Sequence, residues 1–174
     1  MSTAKKVRIG FVGVGGMGQN AHLKHYAFLP DCEVAAIAEI RPGLAAKVAK
    51  RYGIEKVYPN HKAMFAAEKL DGIVCIQPFT MHGALLPEIY DANLPIITEK
   101  PLGGSVEVGE KLLAKLATTK ATHYVAYHKR SDPATLEAIK TIEQWKASGE
   151  MGKMKAVRVS MPPGDWVANG FWDL

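Results

Sequence analysis

The residues best placed to do chemistry form a glycine-rich turn, Gly13-Val14-Gly15-Gly16-Met17-Gly18, directly after the apolar run Val7–Val12. A helix-like stretch over residues 19–29 follows, and Glu39 ends the next apolar run. Gly13 lets the chain turn sharply, and Gly15 has no Cβ to hold a pyrophosphate away from the backbone. Gly18 lets the helix pack close to the strand, and that helix aims its unpaired N–H groups and dipole at the phosphates. Glu39 would accept hydrogen bonds from the adenosine ribose hydroxyls. A glycine turn alone is weak evidence. A strand before it, a helix after it and an acid about twenty residues on together spell a dinucleotide site. A tight turn with no ligand would leave Glu39 unexplained. Gly16 and Met17 are counted with the cofactor-binding residues, as is Arg41.

Glu39 should repel the 2′-phosphate of NADP and accept from the free ribose hydroxyls of NAD. Arg41 works the other way, because an arginine there can pair with a 2′-phosphate. Its blander role is a salt bridge or stacking on the adenine. With the acid at the strand end and the arginine in the following turn, the sequence favours NAD over NADP.

Apolar runs and helical stretches alternate along the chain. Strand candidates are Val7–Val12, residues 34–39, Val57–Tyr58, and residues 72–77, 96–99 and 124–127. They are short and almost continuously apolar, as strands covered on both faces should be. Helical stretches fall at residues 21–29, Pro42–Tyr52, and residues 62–69, 83–92 and 106–117. Pro42 at a start and Gly53 just past an end fit helix asymmetry, while Asn60 and Ser105 are placed as N-caps. This alternation predicts an α/β fold, a doubly wound parallel sheet with right-handed crossovers.

In such a sheet, ligands bind outside the carboxyl ends of the strands. Besides the glycine turn, two segments should face the cofactor there. Gln77-Pro78-Phe79-Thr80-Met81-His82 leaves the fourth strand, and Thr98-Glu99-Lys100-Pro101-Leu102-Gly103-Gly104 leaves the fifth. Lys100 could reach a nicotinamide ribose and a substrate hydroxyl together. A lysine before proline is biased to an extended backbone, which would aim it. On spacing alone, a solvated loop lysine, the fate of most lysines, is the better reading.

The bulk properties exclude several classes. The 174 residues suffice for one sizeable α/β domain and part of another. The net charge of +5 comes from lysines scattered among acids, with no basic run interleaved with aromatics, so no nucleic-acid footprint is expected. Cys32 and Cys75 have no metal-ligand spacing, so no metal is expected, and two separated thiols suit a reducing cytoplasm. No segment approaches the roughly 20 apolar residues that span a bilayer. Lys5-Lys6 before a short run broken by Arg8 only superficially resembles a signal peptide.

The carboxyl-terminal stretch has a different pattern. Pro133–Ser148 reads as one amphipathic helix, with Leu136, Ile139, Ile142 and Trp145 at helical spacing. A turn at residues 150–153 leads to an alternating strand over residues 154–161, then to Trp166, Phe171 and Trp172. Aromatics so close together ask for a surface to cover them, which predicts a second domain that begins and is cut off, the alternative being a tail that folds back on its own domain.

The chain resembles the glucose–fructose oxidoreductase / inositol dehydrogenase (Gfo/Idh/MocA-like) family of nicotinamide-dependent oxidoreductases. The likeness rests on the glycine turn, on Pro78-Phe79-Thr80-Met81-His82, on Glu99-Lys100-Pro101 and on Tyr127-His128-Lys129-Arg130-Ser131-Asp132-Pro133. Glu-Lys-Pro is the most specific of these and the glycine turn the least. The resemblance implies a Rossmann domain followed by an α/β substrate domain with an open antiparallel sheet that usually mediates homo-oligomers. The division expected here is residues 1–128 for dinucleotide binding and 129–174 for the start of the second domain. It also implies hydride transfer between the nicotinamide and a sugar, cyclitol or similar polyol.

By the same resemblance, Lys100 is the catalytic residue, orienting substrate and assisting proton transfer. Glu99 neighbours the nicotinamide ribose, and Gln77, Pro78, Thr80 and His82 belong to the loop beside the cofactor. His128 and Arg130, with Lys100, are substrate-pocket candidates; the family often has asparagine at the position of His128, which reads as a pocket or structural histidine rather than a base. The chain departs from the pattern in one respect. Family enzymes pair the lysine with an acid and a histidine early in the second domain. Here Asp173 is followed only by Leu174, and all six histidines lie at or before position 128. The expectation is a cofactor-binding fragment or shortened form with little activity alone. The alternatives are an inactive nicotinamide-binding sensor and a sugar lyase or hydrolase that uses tightly held NAD.

Overall fold

A computed structural model of the protein describes residues 5–160. Six strands, β1 (Val7–Val12), β2 (Cys32–Ala38), β3 (Val57–Tyr58), β4 (Gly72–Cys75), β5 (Pro95–Thr98) and β6 (Thr122–Val125), form one sheet in the order β3-β2-β1-β4-β5-β6. Every neighbouring pair is parallel. This is the doubly wound sheet that the alternation predicts, and its strand order reverses between β1 and β4, where a crevice opens. The ladders of β2, β4, β5 and β6 stop one or two residues short of the expected ends. Glu39, Ile76, Gln77 and Glu99 thus lie past the last ladder pair, at the sheet's carboxyl edge.

Successive residues of a strand face opposite sides of a sheet, and two cores follow. Ile9, Phe11, Ile37, Val74 and Ile76 pack with Leu23 and with Val48 and Ala49 of α2 (Pro42–Tyr52). Val12, Ala36, Ala38, Ile73, Cys75 and Ile96 pack on the other side, against three helices. These are α3 (His61–Ala67) through Met64, α4 (His82–Tyr90) through Leu86, Ile89 and Tyr90, and α5 (Val106–Leu116) through Leu112. Cys75 is wholly buried, and burial pushes its thiol far up, as suits a small core residue. Both cysteines are free thiols.

The helix ends follow local chemistry. Asn60 Oδ1 accepts from the Ala63 N–H at 2.9 Å, and Ser105 Oγ accepts from the Val108 N–H at 3.4 Å. Gly53 ends α2 in the left-handed region, at φ 65°. The first helix is not the regular one expected. Helical winding starts at residue 16, widens into a π-helical turn over Gly18–Leu23, and closes with α1 (Lys24–Tyr26).

The chain divides into two compact units, with the boundary after Ala126. In the second, α6 (Pro133–Ser148) is capped by Asp132, whose Oδ1 accepts from the Ala134 N–H at 3.0 Å, and ends on Gly149 at φ 72°. The strand expected over 154–161 is corrected: residues 154–160 are irregular and exposed. Alternation supplies a face but not a partner, and a strand exists only where a neighbour completes its hydrogen bonds. Met161, Trp166, Phe171, Trp172, Asp173 and Leu174 lie outside the described residues. No helix among the described residues is long and apolar enough to cross a membrane.

Candidate functional site

The glycine turn sits at the strand-order reversal, between the carboxyl ends of β1 and β4. Gly13 adopts φ 86°, and a Cβ there would lie 2.3 Å from the Ile76 carbonyl oxygen. A Cβ on Gly18 would lie 2.8 Å from the Gly13 carbonyl oxygen, so the helix starts hard against the turn. The turn is tied to its neighbours. Gly13 N–H donates to the Ala38 carbonyl at 2.8 Å, and the Gln19 side-chain amide donates to the Val14 carbonyl at 3.0 Å. The Gln77 amide donates to the Val12 carbonyl, and its oxygen accepts from the Cys75 thiol at 2.8 Å. Gln77 therefore joins the two strand ends that flank the crevice.

Glu39 is the acid of this turn in a literal sense. Its Oε2 accepts from the Val14 N–H at 3.1 Å, and its Oε1 accepts from the Arg41 N–H at 3.1 Å and from Arg41 Nε at 2.8 Å. Burial pushes the Glu39 carboxyl up. The Arg41 side-chain hydrogen bonds, the Val14 and Arg41 N–H groups and the Arg41 charge outweigh that effect, and the carboxyl is held below the usual range. Glu39 is therefore a carboxylate, an acceptor only. Arg41 is largely exposed but lies across the turn, with Nη2 3.3 Å from the point where a Gly15 Cβ would stand.

At the other side of the crevice, Glu99 Oε1 lies 2.8 Å from His22 Nε2, and both side chains are mostly buried. Sequence reasoning missed His22. Its one hint was its place four residues after Gly18, on the face that packs against the sheet. Lys100 is exposed; its backbone N–H donates to Glu99 Oε2 at 3.3 Å, its peptide bond to Pro101 is cis, and its ammonium makes no ion pair among the described residues. Pro78 and Thr80 are exposed on and beside the tight turn Phe79–Met81. His82 is different: it has no exposed surface, and its Nδ1 lies 3.0 Å from the Leu102 carbonyl oxygen.

Gly16 and Met17 are half-buried in the first helical turn. His128 and Arg130 belong to the second unit, exposed on the turn His128–Ser131, with the Arg130 guanidinium 4.9 Å from the Tyr127 ring centre. Among the described residues no group of three His, Cys, Asp or Glu side chains could hold a metal ion.

The residues fit a dinucleotide. Four glycines leave much of the turn's backbone bare of Cβ atoms, and a buried carboxylate stands at the tip of the adjacent strand.

Residues 7–127 match the family described as "Oxidoreductase family, NAD-binding Rossmann fold", the Gfo/Idh/MocA family. The chain belongs to that family. It is 29% identical over 166 residues to an inositol 2-dehydrogenase of Rhizobium meliloti, a match covering 92% of this chain and 48% of the relative. The fold is shared with the WlbA dehydrogenase from Bordetella pertussis, solved with NADH and UDP-GlcNAcA (TM-score 0.75, 22% identity, 86% of this chain and 44% of that one). It is shared also with scyllo-inositol dehydrogenase from Lactobacillus casei, solved with NAD(H) and scyllo-inositol (TM-score 0.68, 21% identity, 86% and 43%). The chain spans about half the length of the curated relatives it matches.

Proposed function

We propose that this chain binds NAD across the carboxyl edge of its sheet and serves hydride transfer to or from a sugar, cyclitol or related polyol. The observation that carries the reading is the bond from the Val14 N–H to Glu39, which puts a carboxylate against the glycine turn at the strand-order reversal. Gly13, Gly15, Gly16, Met17 and Gly18 cradle the diphosphate on bare backbone. Glu39 accepts from the adenosine ribose hydroxyls and disfavours a 2′-phosphate. Arg41 being engaged with Glu39 supports NAD over NADP.

When bound, the nicotinamide supplies or takes up the hydride. The chain's own residues do the rest. Gln77, Pro78 and Thr80 border the crevice beside it, and Glu99, held by His22, faces the nicotinamide ribose. Lys100 orients the substrate hydroxyl and helps move its proton. The names of the relatives, inositol 2-dehydrogenase and scyllo-inositol dehydrogenase, point to a cyclitol as the first substrate to try.

Calorimetric titration with NAD and NADP, beside thermal shifts, tests this. NAD should bind more tightly than NADP, and Glu39→Ala should weaken NAD tenfold or more, since hydrogen bonds to a charged group are worth roughly 1.5–3 kcal/mol. Equal or tighter NADP binding would overturn the NAD preference. No heat and no stabilisation with either dinucleotide would overturn the whole reading.

A further inference from the structure

The segment that carries Lys100 is gripped at both ends by histidines, the half-buried His123 and the wholly buried His82. At its start, Thr98 is wholly buried and its Oγ1 lies 2.8 Å from His123 Nε2. The other nitrogen of that ring, Nδ1, is 2.8 Å from the Tyr90 hydroxyl, so the imidazole is fixed between two hydroxyl groups. At its end, the Leu102 carbonyl can only accept, so His82 donates from Nδ1 across 3.0 Å. Just beyond, a Cβ on Gly103 would stand 3.0 Å from Val108 Cγ1 and 3.2 Å from the Gly109 nitrogen, so the backbone there lies directly on α5.

His82 holds this place at a cost. With the proton on Nδ1, its Nε2 is a bare lone pair, buried and without a hydrogen-bond partner among the described residues. A buried polar atom left unpaired disfavours folding, and an apolar side chain of similar size would avoid that. What the histidine supplies in return is its bond to the Leu102 carbonyl. His123 is suited to the same task. Burial first, and then the nearby His82 ring, lower its pKa to about 4, so it stays a neutral donor and acceptor between its two hydroxyl partners.

We propose that His82 and His123 are positioning residues, which fix both ends of the 98–102 segment from the interior and so set where Glu99 and Lys100 meet the nicotinamide half of the cofactor. The inference rests on the cofactor reading above. It separates the two halves of the site, because the adenosine half is built by the glycine turn and Glu39, which neither histidine touches.

The test compares NADH with ADP, which lacks both the nicotinamide and its ribose, by calorimetry on the whole chain. The variants are His82→Leu, His82→Asn and Thr98→Val. His82→Leu removes the donor to Leu102. Thr98→Val is nearly isosteric and removes only the hydroxyl that meets His123, so it keeps the test open if His82→Leu does not fold. Both should weaken NADH at least fivefold and leave ADP within twofold. His82→Asn, whose amide can stand in for Nδ1–H, should recover most of the NADH affinity. Equal losses for both ligands would mark the histidines as merely structural and overturn the proposal, as would no loss for either. If the unaltered chain bound neither ligand, the cofactor reading itself would fall. That outcome is distinct from a chain that binds both ligands and whose variants do not discriminate between them.

Discussion

Gly13 shows how strictly a single position can be constrained. Its φ of 86° lies in the left-handed region, and the Ile76 carbonyl would sit 2.3 Å from any added Cβ. Gly13→Ala should therefore lose about 1–3 kcal/mol of stability from backbone strain alone, with dinucleotide binding lost as the turn moves. Urea unfolding of the variant checks the first part and calorimetry the second. An alanine variant as stable as the parent would contradict the geometry. Gly13, Gly18 and Glu39 were legible in the sequence because each answers to a fixed spacing within one strand–turn–helix unit. His22 was not, since its partner Glu99 lies 77 residues away. The interior aim of His82 escaped for the same reason: the Leu102 carbonyl it serves is 20 residues on. Side-chain partners that meet only through tertiary folding leave no periodic trace.

Among the elements, the helix caps offer the sharpest comparison. Asn60 accepts from Ala63 at 2.9 Å, whereas Ser105 reaches Val108 at 3.4 Å. Replacing an N-cap by alanine costs about 0.5–2 kcal/mol, so Asn60→Ala should fall toward the upper part of that range and Ser105→Ala toward the lower. Paired denaturation curves check the order, and a larger loss at Ser105 would reverse it. Both caps, the Pro42 start and the Gly53 stop were legible because they depend on residues within one turn of the helix end. The π-helical turn at Gly18–Leu23 carried no such mark. It departs from regular winding where Gly18 abuts the Gly13 carbonyl and His22 meets Glu99. The alternation at residues 154–160 misled in the opposite way, for its pattern was right for a strand but no neighbour completes one among the described residues.

For the molecule as a whole, acid should act earlier than its carboxylates alone would suggest. His123 has its pKa lowered to about 4, by burial and then by His82, against about 6.5 in an unfolded chain. Between those values the unfolded state binds the extra proton, so this contribution is complete above pH 6.5 and is lost as pH falls toward 4. The loss should reach ~2 kcal/mol by pH 5. Glu39, whose carboxyl is held low, adds a second decline at more acid pH as it is protonated. Urea midpoints at pH 7 and pH 5 test this, and His123→Gln should flatten the difference. An unchanged midpoint across that span would refute it. The global topology was legible because the alternation of short apolar strands with helices admits few arrangements. The reversal of order at β1 and β4 follows once the crossovers share a hand.

Glu39, at the end of β2, braces the glycine turn through the Val14 N–H. Removing this acid is the direct way to admit a 2′-phosphate. Here that change would also unfasten the Val14 N–H and release the guanidinium of Arg41. A successful redesign would have to supply a new acceptor for that amide at the same time, or trade selectivity for a slack phosphate loop.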